Sequence, residues 1–232
     1  MTVYWLQQTD ADVPLDDDWL APAELARASQ FRSPKRRADF RLGRWTAKRA
    51  IAEYLGRRFE DIEIQVKPSG APDTPGASIS ISHRAGSALC AVGPVGAAIG
   101  CDLEFIEPRS APFINDYLTF EERRLVRLSN NRDLYANLIW SAKESALKAT
   151  GEGLTADPRD VEIRLLDRAA PGWRRLTAGP FRGWWAQAGR FVRTIVSDQV
   201  ESAVDSPPIE LGQTLAILRS CPAVRSSCGS GH

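Results

Sequence analysis

Trp140-Ser141-Ala142-Lys143-Glu144-Ser145-Ala146-Leu147-Lys148 sets a carboxylate and an amine four positions apart beside a large aromatic. In a helix this spacing places Glu144 and Lys148 one turn apart on one arc with Trp140 and Ser141, and leaves Lys143 on another side. The same pair also serves as an ordinary surface brace worth about 0.3–0.5 kcal/mol. A second source of carboxylates lies upstream, in Ile99-Gly100-Cys101-Asp102-Leu103-Glu104-Phe105. Strand alternation gives Cys101, Leu103 and Phe105 one apolar face and gathers Gly100, Asp102 and Glu104 on the other. Two carboxylates beside a glycine that leaves open space make a poor core and a good site for a hard cation. Mg2+ is characteristically held by one or two carboxylates together with substrate phosphates. An exposed strand face explains a lone D-x-E equally well.

These residues need elements to position them. Leu134 to Thr150 reads as one helix stopped by Gly151-Glu152-Gly153. A second helix runs from the Ser33-Pro34 cap to Leu55 and stops at Gly56. Phe40, Gly43, Ala47, Ala50, Ile51 and Tyr54 form its apolar side, while Arg37, Arg41, Arg44 and Lys48 line another. Between Arg27 and Arg58 stand eleven basic residues against two acidic ones, which makes either a wet helix face or a clamp for phosphate. Short strands are expected at Val3–Leu6, Phe59–Val66, Ala77–Ser82, Ser87–Val92 and Val161–Leu166. A hairpin is expected across Gly189 between Trp184-Trp185-Ala186 and Phe191–Val196. The run Asp16-Asp17-Asp18 reads as a solvated loop or helix start. Thr119 and Glu122 have the spacing of a capping box.

Composition narrows the class. With 30 basic and 29 acidic residues the chain is no wholesale nucleic-acid binder, and an electrostatic partner must be met by a local patch. Four cysteines without C-x-x-C spacing, and an N-terminus lacking a signal-peptide pattern, lead to the expectation of a cytoplasmic protein with reduced thiols. No apolar run approaches the roughly 20 residues of a membrane span.

Taken together, the two chemical segments resemble the paired signature of the 4′-phosphopantetheinyl transferases, a G-[apolar]-D-[apolar]-E strand followed by W-S-x-K-E-[AS]-x-x-K. Gly100-Cys101-Asp102-Leu103-Glu104 matches the first, with Cys101 where an aliphatic is more usual, and Trp140 to Lys148 matches the second in full. Phe31, Arg36, Arg37, Phe40, Gly43 and Arg44 fit the family's F-x(n)-R-R-x-x-F-x-x-G-R helix, and Ser82-His83 fits its S-H at a strand end. Lys67-Pro68-Ser69-Gly70-Ala71-Pro72 stands where the family has G-K-P. Either Ala71 replaces the lysine, or Lys67-Pro68 is the equivalent and the glycine is missing. The resemblance runs from about Phe31 to Asp198 and is nearest the larger, monomeric type.

The resemblance implies an α/β (α+β) fold of two similar halves in pseudo-twofold arrangement, each a small antiparallel sheet with a long helix, with the active site in the cleft between them. The expected division is 1–106, 107–204 and a disordered tail, 205–232. It implies transfer of 4′-phosphopantetheine from coenzyme A to a serine of an apo carrier protein of peptide, polyketide or fatty acid synthesis, with Mg2+ and release of adenosine 3′,5′-bisphosphate. Asp102, Glu104 and Glu144 would hold the metal, and Glu144 and Lys148 would be catalytic. The general base stays open between Glu144, Glu104 and a metal-bound water. Coenzyme A would be met by Arg37, Arg44, Lys67, Ser82, His83, Asp102, Lys143 and Lys148. A monomer without nucleic acid or membrane partners is expected. Two other readings remain: a different Mg2+-dependent phosphate enzyme such as a nucleotidase or nuclease, and a non-catalytic module that binds coenzyme A or carrier proteins.

Overall fold

The computed structural model describes residues 2–151, 156–198 and 206–212. Strand β1 (Tyr4–Thr9) leads through helix α1 (Pro22–Ser29) to the long helix α2 (Pro34–Leu55). Ser33 caps α2 by accepting from the Arg36 amide, Pro34 occupies its first turn, and Gly56 ends it in the left-handed region at φ 62°. The chain continues through a two-strand ribbon, β2 (Gln65–Val66) and β3 (Pro72–Asp73), into the hairpin β4 (Ser78–Arg84) and β5 (Ser87–Gly93). The strand expected over Phe59–Val66 is a single 3-10 turn at Phe59–Asp61 followed by β2. Glu60 and Asp61 both face solvent there, and burial alternates only from Ile62 onward.

Strands β4, β5 and β1 pair antiparallel, and the fully buried Ala47, Ala50 and Ile51 of α2 pack with Cys90 and Val92 of β5. A last strand, β11 (Ile209–Glu210), pairs parallel with β1. This corrects the expectation of a disordered tail for its described part. Leu211 packs in the α2 core, the Gly212 amide donates to the Glu53 carboxylate, and the Trp5 indole donates to the Pro208 carbonyl. Residues 213–232 lie outside the described residues. The apolar Ile209 and Leu211 repay the cost of ordering this segment by burial.

The second half contains β6 (Ile99–Phe105), α3 (Ala111–Tyr117), α4 (Phe120–Leu128) and α5 (Arg132–Thr150). Strands β7 (Ile163–Ala170), β8 (Trp173–Ala178), β9 (Phe181–Ala188) and β10 (Phe191–Ser197) complete it. Its antiparallel sheet runs β6-β10-β9-β8-β7, with the expected turn at Gly189 between β9 and β10. Strand β6 precedes the division expected at residue 107, yet it is an edge strand of this second sheet, with Asp102 opposite Thr194. It meets the first half through side chains: the Cys101 amide donates to Ser80 Oγ at 3.0 Å and the Leu103 amide to Ser82 Oγ at 3.3 Å. The seam between halves is thus stitched by alternate serines of β4.

Helix α5 begins at the Asn131 cap and ends at Gly151, φ 75°. Its Leu138, Ile139, Ala142 and Ala146 are fully buried in a core shared with the second sheet. Gly100 explains how close it comes, because a Cβ there would lie 1.7 Å from the Ser145 carbonyl oxygen. The open space expected beside this glycine is filled by the α5 backbone. That contact lays Glu144 and Lys148 over the carboxylate strand. Among the described residues no helix is long and apolar enough to cross a membrane.

Candidate active site

Three elements converge on Asp102, which is 5% exposed. Its Oδ1 accepts from Ser82 Oγ of β4 at 2.8 Å and from Lys148 Nζ of α5 at 2.7 Å, and Lys148 also donates to the Cys101 carbonyl at 3.1 Å. The i,i+4 pair offered by the sequence does not form, since Lys148 turns to Asp102 and Glu144 is left beside it. Asp102 Oδ2 and Glu144 Oε1 are buried without a hydrogen-bond partner. Leaving a buried acceptor unmatched costs about 1–3 kcal/mol, more when it is charged. Burial, then the Asp102 charge, raises the proton affinity of Glu144, with Lys148 opposing and Glu104 adding. For Lys148, burial pulls the pKa down, but the surrounding charges led by Asp102 outweigh it and hold the amine protonated.

Glu104 is arranged differently. Its Oε1 accepts from the Trp140 indole at 3.0 Å and its Oε2 from Arg109 at 2.8 Å, with Arg84 at 3.6 Å. Burial and then Asp102 raise its pKa, with Arg109 and Arg84 opposing. Arg109 is itself held by the Asn137 side chain at 2.6 Å. Nothing in the sequence pattern pointed to Arg109 or Asn137, because the link spans a loop, a strand end and a helix. Ser141, expected on the arc of Trp140, faces β10 and shares a hydrogen bond with Thr194.

Two orphaned carboxylate oxygens of Asp102 and Glu144, in an all-oxygen donor set, fit a hard divalent ion such as Mg2+. The third expected ligand is not gathered with them, since both Glu104 oxygens are engaged. Among the described residues no three His, Cys, Asp or Glu side chains form a ready metal cluster.

The residues expected to meet coenzyme A separate into groups. Ser82, Asp102 and Lys148 are together, and Lys148 lines a cavity of about 290 Å3 with Ser69, Gly70, Ala71, Ser80 and Gly151. Ala71 is thus a wall of this cavity, while Lys67 is exposed and paired with Asp73 at 3.2 Å. His83 lines a second cavity, about 370 Å3, with Lys35, Asp39, Arg84 and Glu107. Partial withdrawal of its ring from water lowers its pKa, with Asp39 opposing and Lys148 and Lys35 adding.

The basic stripe of α2 is neither wet nor free. Asp17 holds Arg37 and Arg41, each at 2.6 Å, and Glu24 holds Lys48 at 2.9 Å. Arg44, 8% exposed, lies 3.7 Å from Glu24 and over the Phe40 ring, lining a third cavity with Arg27. The acidic segment read as a solvated loop is therefore docked on the stripe. Lys143 requires a correction as a coenzyme A contact. Fully buried, it spends three donors on Glu122 at 2.9 Å and on the Pro158 and Val161 carbonyls at 3.0 and 2.6 Å. An ammonium has only three donors, so none remains for phosphate. Glu122 also closes the capping box with Thr119 and accepts from the Ile163 amide.

A buried carboxylate held by a lysine and a serine, beside unmatched oxygens and open cavities, defines a site suited to a phosphate ester and a divalent ion. Comparison with known proteins identifies the class. Residues 98–200 match the model of the 4′-phosphopantetheinyl transferase superfamily, and residues 22–93 match that of the 4′-phosphopantetheinyl transferase N-terminal domain. The 4′-phosphopantetheinyl transferase HetI of Nostoc sp. is 30% identical over 177 residues, covering 69% of this chain and 74% of that protein. The holo-[acyl-carrier-protein] synthase of Streptococcus sanguinis is 38% identical over 84 residues, 32% of this chain and 69% of that one. The crystal structure of Helicobacter pylori holo-[acyl-carrier-protein] synthase in complex with coenzyme A aligns with a TM-score of 0.33 and 20% identity, over 40% of this chain and 98% of that one. The chain belongs to the 4′-phosphopantetheinyl transferase superfamily, as an enzyme of the larger type built from two halves.

Proposed function

We propose that this enzyme transfers the 4′-phosphopantetheine of coenzyme A to a serine hydroxyl of an apo carrier protein and releases adenosine 3′,5′-bisphosphate, working as a cytoplasmic monomer. The observation that carries the reading is the junction of Ser82, Asp102 and Lys148, with the orphaned oxygens of Asp102 and Glu144 beside it. The serine oxygen attacks the phosphorus that bears the pantetheine arm, and the bond from that phosphorus to the bridging oxygen breaks. Lys148, kept protonated by Asp102, is placed to stabilise the charge that grows on the bridging oxygen. Glu144 is the candidate to take the serine proton, because burial moves its pKa toward neutrality and so makes it a better base than an ordinary carboxylate. Glu104 could serve instead only by releasing Trp140 or Arg109. Asp102 and Glu144 would hold Mg2+, which when bound supplies Lewis-acid neutralisation of the pyrophosphate. Lys35 and His83, on one cavity wall, are suited to the remaining phosphate, and Arg37 would have to exchange Asp17 for it.

The test is to incubate the protein with coenzyme A and Mg2+ and a panel of apo carrier proteins, then weigh the carriers. At least one should gain the mass of a single phosphopantetheine, and EDTA should stop the gain reversibly. No gain with any carrier, from a folded protein that coenzyme A protects against heat, would leave the non-catalytic binding module as the surviving reading.

A further inference from the structure

A cavity of about 580 Å3 lies outside that site, between α3, α4 and the first turns of α5. Arg109, Arg123, Arg124, Arg127 and Arg132 line it, against the single acid Asp133. In a chain of 30 basic and 29 acidic residues this is a local excess of positive charge. The contrast with α2 is informative, for there the chain's own Asp17 and Glu24 hold the cations. Here Arg124 reaches only the exposed Glu121 at 3.4 Å and Arg123 the Asn115 carbonyl at 3.2 Å. The exposed guanidinium groups of Arg127 and Arg132 have no partner among the described residues. Apolar surface accompanies the charge: Ile114 and Val126 line the cavity, Phe120 at its lip is 68% exposed, and Leu128 of the same helix is 69% exposed. Cations rimming exposed apolar side chains mark a protein-binding surface.

The cavity is also joined to the reacting centre. Arg109 lines it and donates to Glu104. Phe113 and Tyr117 of α3 stack on Trp140 with ring centroids 5.1 and 5.0 Å away, and Trp140 donates to the other oxygen of Glu104. A partner seated here would lie one side chain away from the carboxylate strand.

We propose that this groove docks the protein substrate, and that the segment it receives is an acidic amphipathic helix of the carrier. Its carboxylates would meet Arg124, Arg127 and Arg132, and its apolar side would cover Phe120. The proposal rests on the transferase reading above. A nucleic acid would use the cations but leave Phe120 and Leu128 exposed to water, which is why an acidic protein fits better.

The test uses the full chain with Arg127→Glu and Arg132→Glu combined, and separately Phe120→Ala. The probe is a fluorescently labelled apo acyl carrier protein, read by anisotropy and by steady-state transfer. The double variant should weaken carrier binding and raise KM for the carrier by about tenfold or more, since charges at an interface govern encounter and partner choice. Its KM for coenzyme A, its kcat at saturating carrier and its melting temperature should stay near wild type. Wild-type KM for the carrier should climb with salt, and that of the double variant should climb less. Unchanged carrier affinity in the folded variants would overturn the proposal, as would an oligonucleotide that displaces the carrier from the wild type. The two readings fail separately. Wild type that binds carrier through these arginines yet transfers nothing would sink the transferase and keep the groove. Variants that bind and transfer like wild type would sink the groove and keep the transferase.

Discussion

Lys143 and Lys148 stand on the same helix and each holds a buried carboxylate, yet the two ends of that arrangement are finished differently. Lys143 fills all three donors, and its partner Glu122 is filled in turn by the Thr119 and Ile163 amides. Lys148 uses Asp102 and one carbonyl, keeps its side chain 28% exposed beside a cavity, and neighbours two carboxylate oxygens with no donor. A fully satisfied polar network fixes architecture, and a partly satisfied one costs stability unless something binds it. The difference locates the chemistry at the Lys148 side and makes the Lys143 side the lock that holds α5 in place.

The largest effect should come from opening the lock. Lys143→Met leaves the Glu122 charge buried without its cation, which costs about 3–5 kcal/mol. Urea unfolding should register that loss, and adding Glu122→Gln should recover much of it. The folded fraction of Lys143→Met should keep its kcat, whereas a lost kcat with unaltered stability would return Lys143 to the substrate.

Next in size is Asp102→Asn, which keeps shape but removes the charge that holds Lys148 and would meet the metal. Transfer should fall by about 10^2–10^3-fold, or ~2.7–4 kcal/mol, the range seen when one preorganised electrostatic group is removed. Lys148→Ala follows, with kcat lowered about a hundredfold, ~2.7 kcal/mol. Melting curves on both should show far less change than those of Lys143→Met. If Lys148→Ala instead destabilises the protein and spares kcat, the two lysines are both structural and the contrast between them collapses.

Much of this was legible in the sequence, and for definite reasons. Both long helices announced themselves through Ser33-Pro34, Gly56 and Gly151, because caps are local chemistry. Asp102, Glu144 and Lys148 were found because strand and helix periodicity assign faces without knowledge of the fold. What periodicity does not give is the identity of the group opposite a face. The α2 stripe looked like a phosphate clamp or a wet face until Asp17 and Glu24, far from it in local register, proved to occupy it. Lys143 and Gly100 were misjudged for the same reason: their surroundings come from the 156–163 loop and from the α5 backbone. Arg109 was invisible, being one more arginine in a loop. Residues 206–212 looked like the rest of a polar tail, and only the exposed edge of β1 made a strand of them.

The smallest effect is the most discriminating, because its sign separates the readings. Glu144 has its pKa raised above the ordinary 4.5, chiefly by burial and then by Asp102. A carboxyl group whose folded pKa is raised binds its proton more tightly folded than unfolded. Its contribution is therefore fully present below the unfolded value and is lost as pH rises through the folded one. Wild type should lose stability across that interval above pH 4.5, and Glu104 contributes with the same sign. Glu144→Gln has no such proton to lose, so it should melt higher than wild type at pH 7, with the gap closing toward pH 4. Coenzyme A with Mg2+ should stabilise wild type through its native state and do less for the variant. An ordinary surface Glu/Lys pair predicts the reverse, a variant less stable at pH 7 by about 0.5 kcal/mol or less. Melting curves of the two proteins at pH 4, 5.5 and 7, with and without ligand, decide between them. A variant that melts lower at pH 7 would mean that Glu144 is satisfied, and the unfinished side of α5 would no longer mark an active site.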